Sequence, residues 1–183
     1  MTTNPPLIYT PLSLNLPIVP LRLRPSSRGA RRPEVFCPLR RRWTPLTPEE
    51  EVRQRFVGWL AGALGYPLSL MANELAITLP SGASRRCDTV VFDHTGRHPL
   101  AIVEYKAPSV RLTPAVFAQA AVYNTLLSAP VIIISNGLTH YCAAITAPGQ
   151  PPRFLNAIPR YSDLTSLNNP PSDENRPSSS NSL

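Results

Sequence analysis

Hydrophobic positions along the chain follow two rhythms in turn. Val52, Phe56, Leu60 and Ala63 recur at helical spacing with Trp59 beside them, which marks one apolar face of a helix. Thr47-Pro48-Glu49-Glu50 opens this helix: Thr47 as N-cap, Pro48 in the first turn, Glu50 completing a capping box, and acids against the positive end of the helix dipole. Gly65-Tyr66-Pro67 stops it. The rhythm then becomes strand-like. Residues 74–79, 85–93 and 100–107 predict three strands, separated by Pro80-Ser81-Gly82 and by the polar run 93–98. The last two form a hairpin with its tip near Thr95-Gly96. Thr113-Pro114 opens a second helix running to about Ser128, with Leu112 placed to staple against Phe117. Val131-Ile132-Ile133-Ile134 is apolar throughout, as a strand covered on both faces should be, and Asn136-Gly137 turns the chain into a final strand over 139–145. The predicted order is helix, three strands, helix, two strands: one α/β unit with a mixed sheet.

Composition changes the picture at the two ends. Ten of the 23 prolines lie in residues 1–48, and each lacks a backbone donor and fixes φ. Composition alone therefore predicts disorder there, with short β-like pieces at 19–24, 34–37 and 42–44. Beyond Asp163 the chain turns to Ser, Asn and Pro, which also predicts disorder. The net charge of +7 is concentrated in the same N-terminal stretch, since residues 1–48 hold eight Arg and one Glu while the remainder is balanced. Attraction to phosphate is expected around Arg28, Arg31, Arg32 and Arg40-Arg41-Arg42. The three cysteines are widely spaced and lack zinc-site spacing, which suits a reducing compartment. No apolar run approaches the roughly 18 to 20 residues of a membrane helix, and the N-terminus does not read as a signal peptide. A cytoplasmic protein that does not engage a membrane is expected.

Candidate chemistry sits in the central hairpin. Antiparallel pairing places Asp88 opposite Val103 and Glu104, while alternation along the strand puts Glu104 and Lys106 on one face and Tyr105 on the other. Lys106 is the only lysine in a chain whose other cations are Arg. Both acids interrupt apolar runs, where an unpaired charge is costly. Two such carboxylates, with the Tyr105 backbone carbonyl as a third oxygen, form a donor set that suits Mg²⁺, with Mn²⁺ as its substitute. In phosphodiester hydrolysis that ion would activate water and stabilise the departing oxyanion, while Lys106 would meet the water and the scissile phosphate, its pKa lowered by the metal. The competing reading is structural, an ion pair of Asp88 with an arginine or with Lys106. His94 and His98 fall in the hairpin turn and His140 on a late strand, and all three read as surface or satisfied core residues. No phosphate-binding Gly-x-x-x-x-Gly-Lys occurs.

Asp88, Glu104-x-Lys106, the order of elements and Gln119-xxx-Tyr123 together resemble the PD-(D/E)xK nuclease superfamily. More narrowly the chain is similar to the N-terminal nuclease domain of type I restriction enzyme R subunits. The likeness covers most of residues 14–165 and includes Leu46-Thr47-Pro48-Glu49-Glu50, Val52-Arg53-Gln54, Gly65-Tyr66-Pro67, Arg86-Cys87-Asp88-Thr89, Ile102 to Pro108 and Ser135-Asn136-Gly137. It implies a restriction-endonuclease-like core, a central mixed sheet flanked by helices in the order α-β-β-β-α-β. It further implies Asp88 and Glu104 as metal ligands, Lys106 as the catalytic lysine, Glu74 as an acid that aids the metal, and Gln119 and Tyr123 as supporting residues. Cys87 stands where the superfamily name has Pro. The implied activity is Mg²⁺-dependent DNA endonuclease in a restriction system, partnered by specificity or translocase subunits. The alternative is a non-catalytic module of the same fold that binds DNA or docks to a larger restriction complex. Against the compositional reading, the resemblance implies order from about residue 14: a tail over 1–13, a single domain over 14–165 with its core at 49–147, and a disordered tail over 166–183.

Overall fold

The structure is a computed structural model that describes residues 9–27, 32–78, 82–145 and 150–168. The described residues form two sheets and three helices. A small antiparallel sheet near the N-terminus contains β1 (Leu23–Arg24), β2 (Glu34–Cys37) and β3 (Arg42–Pro45). It is followed by α1 (Pro48–Ala63) and a single 3-10 turn at Leu68–Leu70. The main sheet has the order β4-β5-β6-β7-β8-β9: β4 (Met71–Thr78), β5 (Ser84–Phe92), β6 (Pro99–Tyr105), β7 (Val131–Ser135), β8 (His140–Ala144) and β9 (Arg153–Phe154). Helix α2 (Pro114–Leu127) crosses from β6 to β7, which pair in parallel, and α3 (Tyr161–Asn168) closes the described chain. This is an α/β fold with a mixed sheet flanked by helices, as a restriction-endonuclease-like core requires.

One side of the sheet packs Met71, Val91, Val103, Tyr105 and Ile133 against Val52, Phe56 and Leu60 of α1 and Leu164 of α3. The other packs Val90, Ile102, Ile132 and Ile134 against Ala120 of α2. β6 and β7 are covered on both sides, which explains the apolar runs 100–103 and 131–134 within them. Thr47 caps α1 by accepting from the Glu50 N–H at 3.1 Å, but the box is only half formed. The Glu50 carboxylate turns instead to Arg40, Arg53 and Gln54, while the Thr47 N–H donates to the Pro45 carbonyl. Ala63, expected on the apolar face, is exposed.

Two terminal expectations are corrected. Contacts begin before residue 14, since the Leu12 N–H donates to Glu51 Oε1 at 2.8 Å and the Arg55 guanidinium donates to the carbonyls of Leu12 and Leu16. The N-terminal segment thereby satisfies charges that would otherwise be stranded on the buried side of α1. Val19 approaches Gly58 so closely that a Cβ there would lie 2.9 Å from it. At the other end, residues beyond Asp163 continue as α3 to Asn168, because Leu164 is buried in the core and the Tyr161 hydroxyl donates to the Phe92 carbonyl. The remainder of the predicted C-terminal tail and most of the predicted Pro80-Ser81-Gly82 turn lie outside the described residues.

Candidate active site

The site forms where β5 and β6 stop pairing. Their register runs Thr89 to Val103 and Val90 to Ile102, so the next pair inward would be Asp88 and Glu104. There the backbone ladder is replaced by a side chain, with the Tyr105 N–H donating to Asp88 Oδ2 at 2.9 Å. Asp88 is thus fixed to the strand that carries Glu104. Lys106 follows β6 directly and extends its pairing with β7, its N–H donating to the Ser135 carbonyl at 2.9 Å.

Four side chains converge on these acids. Lys106 Nζ donates to Glu104 Oε1 at 2.8 Å, and Gln119 of α2 donates to the same oxygen at 3.3 Å. Arg53 of α1 donates to Asp88 Oδ1 at 2.8 Å and also pairs with Glu50. Glu49, one turn earlier on α1, lies 3.6 Å from Arg53. The decisive atom is Glu104 Oε2, which is buried and has no hydrogen-bond partner among the described residues. Burial, with the nearby charge of Asp88 adding to it, pushes the Glu104 carboxyl up to about 7, against the opposing influence of Lys106. Burial and the negative charge of Asp88 likewise raise Glu49.

Lys106 is held here as the ion-pair partner of Glu104. Burial lowers its affinity for a proton, but the Glu104 hydrogen bond and the charges of Glu104, Asp88 and Glu49 outweigh it and raise the pKa. Within this set of residues it is an ammonium donor rather than a base.

Glu74 does not reach the site. The β4–β5 register passes from Asn73–Thr89 to Leu75–Cys87, leaving Glu74 abreast of Asp88, yet its φ of 56° breaks the strand alternation. Its carboxylate pairs with Arg40 and with Arg42. Where Glu74 was expected to aid a metal, the structure instead places its carboxylate on the arginines of that side. Gln119 lies against Glu104. Tyr123 lies one turn further along α2, and its side chain lies outside the described part of the structure. His140 is satisfied, its ring nitrogens lying 2.8 Å from Ser135 Oγ and from the Asn15 carbonyl oxygen.

A family described as the type I restriction enzyme R protein N terminus matches residues 48–159, a stretch that carries α1, Asp88, Glu104, Lys106 and Gln119. The chain belongs to that family. No curated protein matches it. Membership relates the chain to restriction, and the small sheet β1 to β3 lies ahead of the matched family domain. Even so, that sheet reaches the site through Arg40, which binds Glu50 behind Arg53. No described helix is long and apolar enough to cross a membrane.

Among the described residues no cluster of three His, Cys, Asp or Glu forms a ready-made cage. The donor set nevertheless fits Mg²⁺, which binds through one or two carboxylates and otherwise retains water and substrate phosphate. Glu104 Oε2 offers an unused carboxylate oxygen, and each oxygen of Asp88 retains a lone pair beside its single hydrogen bond. Arg53 and Glu49 are the charged residues beside the two acids that sequence reasoning missed. Their signal was a helix whose first turns carry charge on every side, which a surface helix has no need of.

The basic N-terminus also needs correction. Arg40 is buried against Glu50 and Glu74, and Arg42 shares Glu74, so neither is a free phosphate contact. Arg22 and Arg24 lie over the rings of Phe36 and Trp43. Arg28 and Arg31 lie outside the described residues. Exposed cations nearer the site are Arg85 and Arg86, which precede Asp88 on β5.

Proposed function

We propose that this chain is a divalent-metal-dependent DNA endonuclease domain of a restriction system, with Mg²⁺ as its ion and Mn²⁺ as a substitute. One observation carries the proposal: Glu104 Oε2 is buried, has no hydrogen-bond partner among the described residues and is adjacent to a second carboxylate. A structural ion pair accounts for Asp88 and Arg53, but leaves this oxygen unexplained. Asp88, Glu104 and the Tyr105 carbonyl would hold the ion. Bound there, it would supply Lewis-acid activation of water and of the phosphate.

The chain's own residues do the rest. Gln119 and Lys106 occupy Glu104 Oε1, which leaves Oε2 for the ion. Lys106, kept as an ammonium, donates to the scissile phosphate or to the attacking water as negative charge builds in the transition state. Arg85 and Arg86 provide backbone-phosphate contacts beside the cleft. Specificity or translocase subunits are the proposed partners, and the cytoplasm the proposed location.

The test is conversion of supercoiled plasmid to nicked and linear forms with Mg²⁺ or Mn²⁺ and with EDTA. Lys106→Ala should reduce cleavage by about 10² to 10³, the usual cost of losing one transition-state donor, while leaving metal binding in place. Intact DNA together with no divalent-metal binding overturns the proposal. A second reading is favoured by the Arg53–Asp88 pair, which neutralises one candidate ligand: a non-catalytic module that kept the fold. Thermal melts separate the two. Millimolar Mn²⁺ should stabilise an active site and not the Asp88→Asn variant, whereas a module without a metal site gains nothing in either.

A further inference from the structure

Arg53 is the one cation of the site to which the motifs assign no part. It stands in the middle of a chain of charges that alternates in sign: Arg42, Glu74, Arg40, Glu50, Arg53, Asp88. From Arg40 to Arg53 the chain is buried, with side chains 9%, 6% and 7% exposed. Gln54 adds a donor to Glu50 at 2.7 Å, and the Arg53 guanidinium lies 5.6 Å from the centroid of the Tyr105 ring. A guanidinium gripped on one branch by Glu50 and on the other by Asp88 is not a surface arm that moves aside. It is a built part of the cleft.

We propose that Arg53 is a permanent cation of this site, filling the place in the charge balance that a second divalent ion takes in a two-metal centre, so that the chain binds a single divalent ion. This rests on the metal-dependent reading above. The local charges support it. Glu50 is matched by Arg40, which leaves three carboxylates, Glu49, Asp88 and Glu104, facing two cations, Arg53 and Lys106. One negative charge remains. A single divalent ion with one phosphodiester charge brings the assembly to neutrality, whereas a second ion leaves an excess of two positive charges in a poorly solvated cleft. Geometry agrees with the charge. Two-metal centres hold their ions about 3.5 to 4 Å apart on shared ligands. The acid placed to be shared is Asp88, and the Arg53 cation already stands on its Oδ1, where a second ion would have to approach.

The experiment is titration of the full chain with Mn²⁺, read by calorimetry and by the electron paramagnetic resonance signal of the free ion. Wild type should bind one Mn²⁺. Arg53→Gln removes the charge and opens Asp88 Oδ1, so it should bind a second ion or bind the first at least about tenfold more tightly. Arg53→Lys retains the charge and should remain at one ion. Two Mn²⁺ ions on the wild type, or an Arg53→Gln titration that matches the wild type, overturns the proposal. If Arg53→Gln does not fold, the wild-type stoichiometry decides alone. Absence of any Mn²⁺ on the wild type brings down the metal-dependent reading as well, whereas two ions bring down this inference only.

Discussion

Replacing Glu104 with glutamine should make the metal-free protein more stable. The carboxyl is buried with one oxygen unpartnered, and its proton affinity in the folded state corresponds to a pKa of about 7 against an ordinary 4.5. That difference is worth roughly 3 kcal/mol. Its sign follows from the direction. The folded state keeps the proton where the unfolded chain has lost it, so this part of the stability is complete below pH 4.5 and gone above about pH 7. The amide is neutral at every pH and cannot lose it. Glu104→Gln should therefore match the wild type near pH 4.5 and exceed it by up to roughly 3 kcal/mol at pH 8, or roughly 6 to 12 °C in Tm for a chain of this size. The assay is thermal or urea unfolding in EDTA across pH 4.5 to 8.5. Added Mn²⁺ should close the gap by stabilising the wild type alone. A variant that is less stable at pH 8, or a difference that does not change with pH, refutes the claim that an ionised Glu104 is held at a cost. Such a cost is what a site retained for binding rather than for stability should show.

Three further outcomes test the surroundings of the site. Glu74→Ala should lower stability by roughly 1 to 3 kcal/mol, because the half-buried Arg40 would lose one of its two carboxylate partners, while plasmid cleavage per folded molecule stays within about twofold of wild type. Loss of cleavage at retained stability would restore Glu74 to the metal. Gly137→Ala should cost at least roughly 1 to 2 kcal/mol in urea unfolding, since Gly137 has a φ of 82° and an added Cβ would lie 2.9 Å from both Leu14 and Val52. Thr47→Ala should cost about 1 kcal/mol through loss of the cap on the Glu50 N–H, and a change near zero in urea unfolding would show the cap to be idle.

The features that could be read from the sequence were local ones. The Thr47-Pro48 start of α1, the hairpin carrying Asp88 and Glu104, the buried run 131–134 and the Asn136-Gly137 turn each depend on residues adjacent in the chain, whose φ preferences and alternation act over a few positions. The register that sets Asp88 across from Glu104 follows from the hairpin turn, and so does the contact of Lys106 with Glu104. What escaped was long-range. Proline content pointed to disorder at the N-terminus, yet Leu12, Leu16 and Val19 pack on α1 because Glu51, Arg55 and Gly58 receive them. Such a preference is invisible in either segment alone.

Charge partners were the least legible of all. Coulomb attraction depends on distance in space, and in a poorly solvated interior it selects among every cation within reach. The sequence by itself determined that two carboxylates and a lysine would meet at the end of one hairpin, because strand alternation and turn position leave them nowhere else to go. Only the tertiary structure decided which charges they would meet there. Packing α1 on the sheet brought Arg53 to Asp88, and the small N-terminal sheet brought Arg40 to Glu50 and to Glu74, drawing Glu74 away from the site. Among the described residues, Glu104 Oε2 was left buried without a partner because none of them carried a donor to it.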